Sequence, residues 1–353
     1  MDLNNRIRGV LVGTAVGDSL GLPAEGIPRS RIQKLFKRGW THRFAFGRGM
    51  LSDDTEHAIF VAQSLIEAPE SSALFTRRLA GRLKLWLLLL PAGVGFATLR
   101  AILRLYAGIS PEDSGVESAG NGPAMRSAPI GAFFYDDPGL LSEYTAASSR
   151  ITHRDARANT GALAVAKVIA WTIRDNLEQR PDRDAFISLL LSSGDDAEWA
   201  GIIERMDKAI ENEYTVGLFA EELDAGKGIS GYVYCTVPLA LYAWYRHFGD
   251  FRQTLQSVLD CGGDTDTAGA IAGAMAGAVT AEEGIPDAWI NGVCDWPRSM
   301  GYITGLADNL ASARNGASIG LEARYFWPAL VPRNLLFLGV VLAHGFRRML
   351  PPY

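Results

Sequence analysis

Cysteine is scarce in this chain. Cys235, Cys261 and Cys294 are the only three among 353 residues and show no C-x-x-C spacing, which excludes a disulfide framework and a thiolate zinc cluster. The glycines of 9–21 match neither a GxGxxG fingerprint nor a Walker loop, and no Ser-His-Asp context for a nucleophile elbow is evident. The opening MDLNNRIRGV has neither the apolar core nor the small-residue cleavage site of a secretory leader, and with so few cysteines a cytoplasmic location is expected. Long apolar runs are missing too. Residues 85–90 stop at Pro91, and 335–343 are interrupted by Gly339 and bounded by His344; each is too short to span a bilayer, so no membrane role is expected. The net charge of -5 gives no general electrostatic case for nucleic acid. Alternating strand patterns are lacking as well, and this leaves an all-α fold as the expectation.

What is present supports that reading. Hydrophobic residues make up 48% of the chain, enough for a large core. Gly9, Gly13, Gly17 and Gly21 recur every four residues across 6–21, which on a helix puts them on nearly one face and invites another backbone to approach. A helix follows Ser52 and ends at Pro69. Further helices are expected over 73–90, 96–107, 124–134, 161–173 and 182–211, over 233–248 with Pro238 inside, and over 250–261. The basic, aromatic stretch 29–49 is taken as an irregular connection. No fixed repeat and no Pro- or Ser-rich linker divides the chain. One domain over 1–315 with a helical extension over 316–353, packed on it, is the expected organisation.

The chemistry concentrates at two helix starts. Residues 261–279, CGGDTDTAGAIAGAMAGAV, place Asp264 and Asp266 one residue apart, each followed by a threonine, ahead of a run of Ala and Gly. Residues 52–55, SDDT, place Asp53 and Asp54 after Ser52. Either motif alone is explained by helix capping and the helix dipole, with Thr265 as the candidate cap of the second. Together they are the same solution used twice, about 210 positions apart. Were the two ends to converge, four carboxylates in a dry site could not all remain ionised without a cation. All-oxygen donors select a hard ion, Mg²⁺ first, with Mn²⁺ or Ca²⁺ as alternates, and four carboxylates with two hydroxyls suffice for two ions. The turn Gly120–Asn121–Gly122–Pro123 before a helical segment suits an anion, although such turns are common as plain structure. His153 taken alone is a packing residue. Glu25, in the loop GLPAEG, taken alone is a solvated acid.

These stretches together resemble a known family. GTAVGDSLGLPAEG, LSDDTEHA, GNGPAMR, Thr152–His153 and GGDTDTAGAIAGA occur in the order and spacing of the ADP-ribosylglycohydrolases, the family of the dinitrogenase reductase-activating glycohydrolase. The resemblance spans about residues 6–280 and implies a compact all-helical fold, a centre of two Mg²⁺ or Mn²⁺ ions, and cleavage of the glycosidic bond joining ADP-ribose to an acceptor. It implies Ser52, Asp53 and Asp54 as ligands from one side and Asp264, Asp266 and Thr267 from the other. Glu25, Asp54 and Asp266 become the candidates for acid/base work. Gly120, Asn121, Gly122 and Met125 would hold the diphosphate, with His153 near the ADP-ribose and Asp18 as a support. The implied partner is an ADP-ribosylated protein or small ADP-ribose conjugate, with ADP-ribose as product. Release from arginine is placed first; serine-linked, O-acetyl and nucleic-acid-linked substrates, or a non-catalytic ADP-ribose-binding member, stand behind it. Residues 86–120 and the tail after about 315 do not map onto the family motif.

Overall fold

The helix over Leu3–Gly21 (α1) is buried along almost its whole length, and its glycine face explains how. A Cβ built at Gly9 would stand 2.1 Å from the carbonyl oxygen of Gly277, and at Gly13 2.2 Å from that of Gly273. At Gly17 it would lie 1.9 Å from Gly269 O and at Gly21 2.2 Å from Thr265 O. Backbone therefore touches backbone along the whole seam, as the four-residue glycine spacing predicts, and the partner is the Ala/Gly helix Thr265–Thr280, termed α14 below.

The structure, a computed structural model, describes residues 2–44, 46–317 and 325–348. After α1 the chain makes a short strand Ile27–Pro28 (β1) and a helix Arg29–Leu35 (α2), so the stretch expected to be irregular carries two turns of helix. Next come Asp53–Glu67 (α3), Ser72–Leu88 (α4) and Phe96–Tyr106 (α5). The segment expected as one helix over 124–134 is instead a 3-10 turn, Ala124–Arg126, followed by Ala128–Phe133 (α6). Pro129 explains the break: it has no N–H to bond back to the preceding turn, and it sits in the first turn of a fresh helix, where that donor is not needed. Pro138–Arg150 (α7) and Ala156–Arg174 (α8) follow, then Arg183–Leu191 (α9), Ala197–Glu211 (α10) and Val216–Glu222 (α11). Val233–Arg246 (α12) stays one helix through Pro238. Phe251–Leu259 (α13) and the two-residue strand Gly262–Gly263 (β2) lead into α14, and Asp287–Ile290 (α15), Met300–Arg314 (α16) and Leu330–Arg348 (α17) complete the order. The all-α expectation holds, the sheet being the antiparallel pair of β1 and β2 in register Ile27 with Gly263. One large apolar cluster runs from α1 through α8, α12 and α14 to α16.

The tail helix is tied to the body by polar contacts that no local pattern announces. Arg333 is buried, donates to Leu51 O at 2.5 Å and pairs with Asp295 at 2.5 Å. Asn334 Nδ2 donates to Leu89 O at 2.7 Å, and the Phe337 ring lies 5.7 Å from that of Phe44. At its far end Arg348 donates to Pro23 O and Glu25 O, both at 2.6 Å. Of the helical extension expected over 316–353, residues 318–324 and 349–353 lie outside the described residues. The tail also corrects the reading of its apolar run as too short for a bilayer. The helix continues through Gly339 and His344, and Trp327–Arg348, 22 residues, is the one helix among the described residues long and apolar enough to cross a membrane.

Candidate active site

Ser52 starts α3 as expected: its Oγ accepts from Asp54 N at 3.2 Å and donates to Asp54 Oδ2 at 3.1 Å. The deeper support is Asp18, fully buried on α1. It accepts from Ser52 N at 2.9 Å, from Thr55 N at 3.2 Å and from the Thr55 hydroxyl. One carboxylate from a neighbouring helix thus satisfies amides that α3 leaves open. Burial pushes the Asp18 carboxyl up to about 6 against these donors.

The other half of the site enters on α14. Asp264 precedes it, but no side chain caps its N-terminus. Thr265, the expected cap, donates instead to Gly21 O at 2.8 Å and so stitches α14 to the end of α1. The reason is the glycine seam, which brings that carbonyl within reach where a wider packing would not. Thr267 Oγ1 donates to Asp54 Oδ2 at 3.3 Å and joins the two acid-bearing helix ends directly. The β1–β2 pair brings the Glu25 loop to the same place, with Gly26 N donating to Gly263 O at 2.7 Å.

Glu25, Asp53, Asp54, Asp264, Asp266 and Thr267 line one cavity of about 630 Å³, so the two motifs and the loop acid converge. Ser52 lies just behind, through its bonds to Asp54. Asp54 Oδ1 and Asp266 Oδ1 are buried without a partner. Burial first, and then the neighbouring acids, hold Asp53, Asp54 and Asp266 well above the ordinary carboxylate value. Glu25 stands at the mouth, raised by loss of solvent and by Asp264, with Arg348 opposing. A second hollow of about 510 Å³ beside Arg29, Lys37 and Arg246 has one acid, Asp260, in its lining.

The opposite wall is built from the 116–125 loop. Gly120, Asn121, Gly122, Met125 and His153 all line the cavity, as expected of a ligand-holding wall. Asn121 does something the sequence did not indicate: its Nδ2 donates to Asp264 Oδ2 at 2.6 Å and to Thr236 Oγ1 at 3.0 Å, so it holds a carboxylate. Gly120 and Gly122 owe their identity to His153. A Cβ at either would lie 2.9 Å from an imidazole atom. His153 Nδ1 meets Thr152 Oγ1 at 2.8 Å, and that hydroxyl accepts from Arg126 at 2.6 Å. The network leaves the hydroxyl hydrogen for Nδ1 and assigns the ring proton to Nε2. Burial, then Arg126, pushes His153 down to about 3, so the ring is neutral at working pH. Arg126 itself, buried among Ser148, Thr152 and the Gly122 carbonyl, is lowered to about 9 by loss of solvent.

Sequence reasoning missed the ion network under this floor. Glu56, one turn along α3, pairs with Arg298, accepts from Trp86 Nε1 at 2.5 Å and lies 3.5 Å from Arg333. Its arginine partners come from 242 and more residues away and Trp86 from 30, so no local spacing could reveal them.

The model of the ADP-ribosylglycohydrolase family matches residues 1–319. The chain belongs to the ADP-ribosylglycohydrolases. Among relatives of this ADP-ribosylglycohydrolase is an uncharacterized protein of Archaeoglobus fulgidus, 33% identical over 310 residues, covering 83% of this chain and 93% of that one. The ADP-ribosyl-[dinitrogen reductase] glycohydrolase of Rhodospirillum rubrum is 26% identical over 82% of this chain and 90% of its own. The ADP-ribosylhydrolase ARH3 of Gallus gallus is 27% identical over 80% and 88%. A solved ADP-ribosylglycohydrolase-related protein complex contains a chain sharing the fold at a TM-score of 0.64 and 24% identity, covering 89% of this chain and 99% of that one. Membership and the relatives' names support ADP-ribosylhydrolase activity for the fold described here.

Proposed function

We propose that this ADP-ribosylglycohydrolase is a cation-dependent enzyme that cleaves ADP-ribose from an arginine side chain of a modified protein. The observation that carries the cation is the pair of buried, unpartnered oxygens, Asp54 Oδ1 and Asp266 Oδ1, on helix ends joined by Thr267. An orphaned buried carboxylate oxygen is costly, and a hard ion removes that cost. Among the described residues no three acidic, histidine or cysteine side chains close on one point as a ready-made metal site. The fit lies in the donor chemistry: hydroxyls and carboxylates only, around one cavity, with the carboxylates too crowded to share a negative charge. Ser52, Asp53 and Asp54 would hold ions from α3, and Asp264, Asp266 and Thr267 from α14. Two Mg²⁺ are proposed, with Mn²⁺ as the alternate. Bound ions supply Lewis acidity and orient the ribose hydroxyls.

The chain's own residues do the rest. Glu25, raised and placed at the mouth, is suited to exchange a proton with the leaving group or the attacking water as positive charge builds at the anomeric carbon. Asp54 and Asp266 share the acid/base candidacy. The Gly120–Gly122 turn and Met125 offer a close wall for the diphosphate, and the Nε2–H of neutral His153 supplies a donor beside it. Arginine is favoured as acceptor because Glu25 and Glu117 put acidic groups at the mouth, where a guanidinium would be met by opposite charge.

Incubation with ADP-ribose linked to arginine, serine, acetate and nucleic acid, with and without Mg²⁺, tests this. Release of ADP-ribose from the arginine conjugate, lost in excess chelator once metal removal is verified, is expected. Full turnover by verified metal-free protein contradicts the cation, and faster release from another conjugate overturns the acceptor.

A further inference from the structure

The tail beyond the family match and the segment at the end of α4 come together on one face. α17 is apolar on two sides. Its inward side, with Arg333, Asn334 and Phe337, is buried on the body. Its outward side carries Val331, Leu335, Leu338, Leu342 and Phe346, at intervals of four, three, four and four residues, which places them in a single stripe. All five are exposed, Leu335 at 54% and Phe346 at 62%. Trp327, just before the helix, is 54% exposed. Beside the stripe runs the end of α4 and the turn after it, where Leu88 and Leu90 are exposed and Leu89 O accepts from Asn334. Ala92 and Phe44 share a small core with Phe337. Phe96 and Arg100 then carry the face to the rim of the acidic cavity.

Charge says what covers this face. The basic side chains placed with it are Arg100, over the Phe96 ring, and Arg347 and Arg348 in the last turn of α17; along the sequence, the stretches 26–52, 71–111 and 323–353 hold seven, six and four Lys or Arg and no Asp or Glu. They contain half of the 34 basic residues and none of the 39 acids, so the remainder of the molecule is strongly negative. An apolar stripe with Trp327 at one end and Arg347 and Arg348 at the other has the chemistry of an interfacial helix. A spanning helix would have to tear Arg333 from Asp295 and Leu51, in a network that also holds Glu56.

We propose that this face docks the protein on a bilayer surface containing anionic lipid, with α17 lying along the interface and the cavity rim beside it. The helix lies on the membrane and does not cross it. Apolar burial and basic residues are two weak signals that together suffice for reversible attachment.

Flotation of the full chain with phosphatidylcholine vesicles, with and without phosphatidylserine, is the test. The protein is expected to float with the phosphatidylserine vesicles and stay behind with phosphatidylcholine alone, and the bound fraction should fall as salt is raised. The double substitution Leu335→Glu with Leu342→Glu should cut binding roughly tenfold or more while the melting temperature holds, because both side chains already face water. Independently, tryptophan emission should shift to the blue on phosphatidylserine vesicles, and Trp327→Phe should diminish the shift. Failure to float with phosphatidylserine vesicles overturns the proposal, as does equal binding to neutral vesicles. So does a dimer by light scattering that the glutamate pair dissociates, since the stripe would then belong to a second copy.

Discussion

At the residue scale the site is a set of acids held apart from water and from positive charge. Asp54 shows the consequence. Its carboxyl is raised well above the ordinary value, chiefly by burial and then by Asp53, Asp18 and Asp264. A raised folded pKa means that the folded chain binds the proton more tightly than the unfolded one. Stability from this group is fully present below the ordinary carboxylate range and is lost as pH rises through the raised value. Asp54→Asn should therefore stabilise chelated protein at neutral pH, an advantage that vanishes near pH 4, while hydrolysis falls roughly 10²–10⁴-fold. Urea unfolding at several pH values, alongside turnover, measures both; an Asn variant less stable than wild type at neutral pH would contradict the burial argument. For Glu25→Gln the expectation is a loss in turnover larger than the loss in ADP-ribose affinity by calorimetry. Equal losses would make Glu25 a binding group only. The acids themselves were legible in the sequence because each pair sits in one short motif. Asn121 holding Asp264, and His153 packed on Gly120 and Gly122, were not, because those contacts cross 143 and about 30 residues and depend on how loops fold back.

At the element scale the seam between α1 and α14 decides where the acids stand. Its glycines were readable as a helix face, and so was the partner, because an Ala/Gly run can bury itself against little else. Thr265 was misread. Capping is a local rule, and the seam offered its hydroxyl the Gly21 carbonyl instead. Gly17→Ala tests the seam. The added methyl would meet Gly269 O at 1.9 Å, and backbone cannot turn aside as a rotamer can. Overpacking of this kind costs typically about 1–3 kcal/mol, and it should outweigh the gain of up to about 1 kcal/mol from helix propensity. Chemical denaturation should show a net loss; unchanged stability would mean that the helices have room. The break between Ala124–Arg126 and α6 shows the reverse case, in which Pro129 marked the boundary and helical periodicity concealed it.

At the scale of the whole molecule the last helix completes the first half of the site. Arg333 reaches from α17 to the residue before Ser52, and Arg348 reaches the carbonyl of Glu25. Nothing in the tail's sequence announces this, since an Arg in an apolar helix usually points to water. Arg333→Ala would leave Glu56 and Asp295 buried with their shared partner gone, and should destabilise by roughly 3–5 kcal/mol. Turnover near Ser52 should fall with it. A loss below about 1 kcal/mol, the scale of a surface ion pair, would show that the network does not depend on this residue.

The glycine seam has one more consequence. Ordering a side chain on folding costs rotamer entropy, and a packed side chain can still hop between wells. A seam of glycine against glycine has no rotamers to lose and none to exchange. The placement of α14 against α1 is thus set mainly by main-chain contact, and rotamer motion enters the site only where side chains, Asp18 and Thr267, tie α3 to that pair.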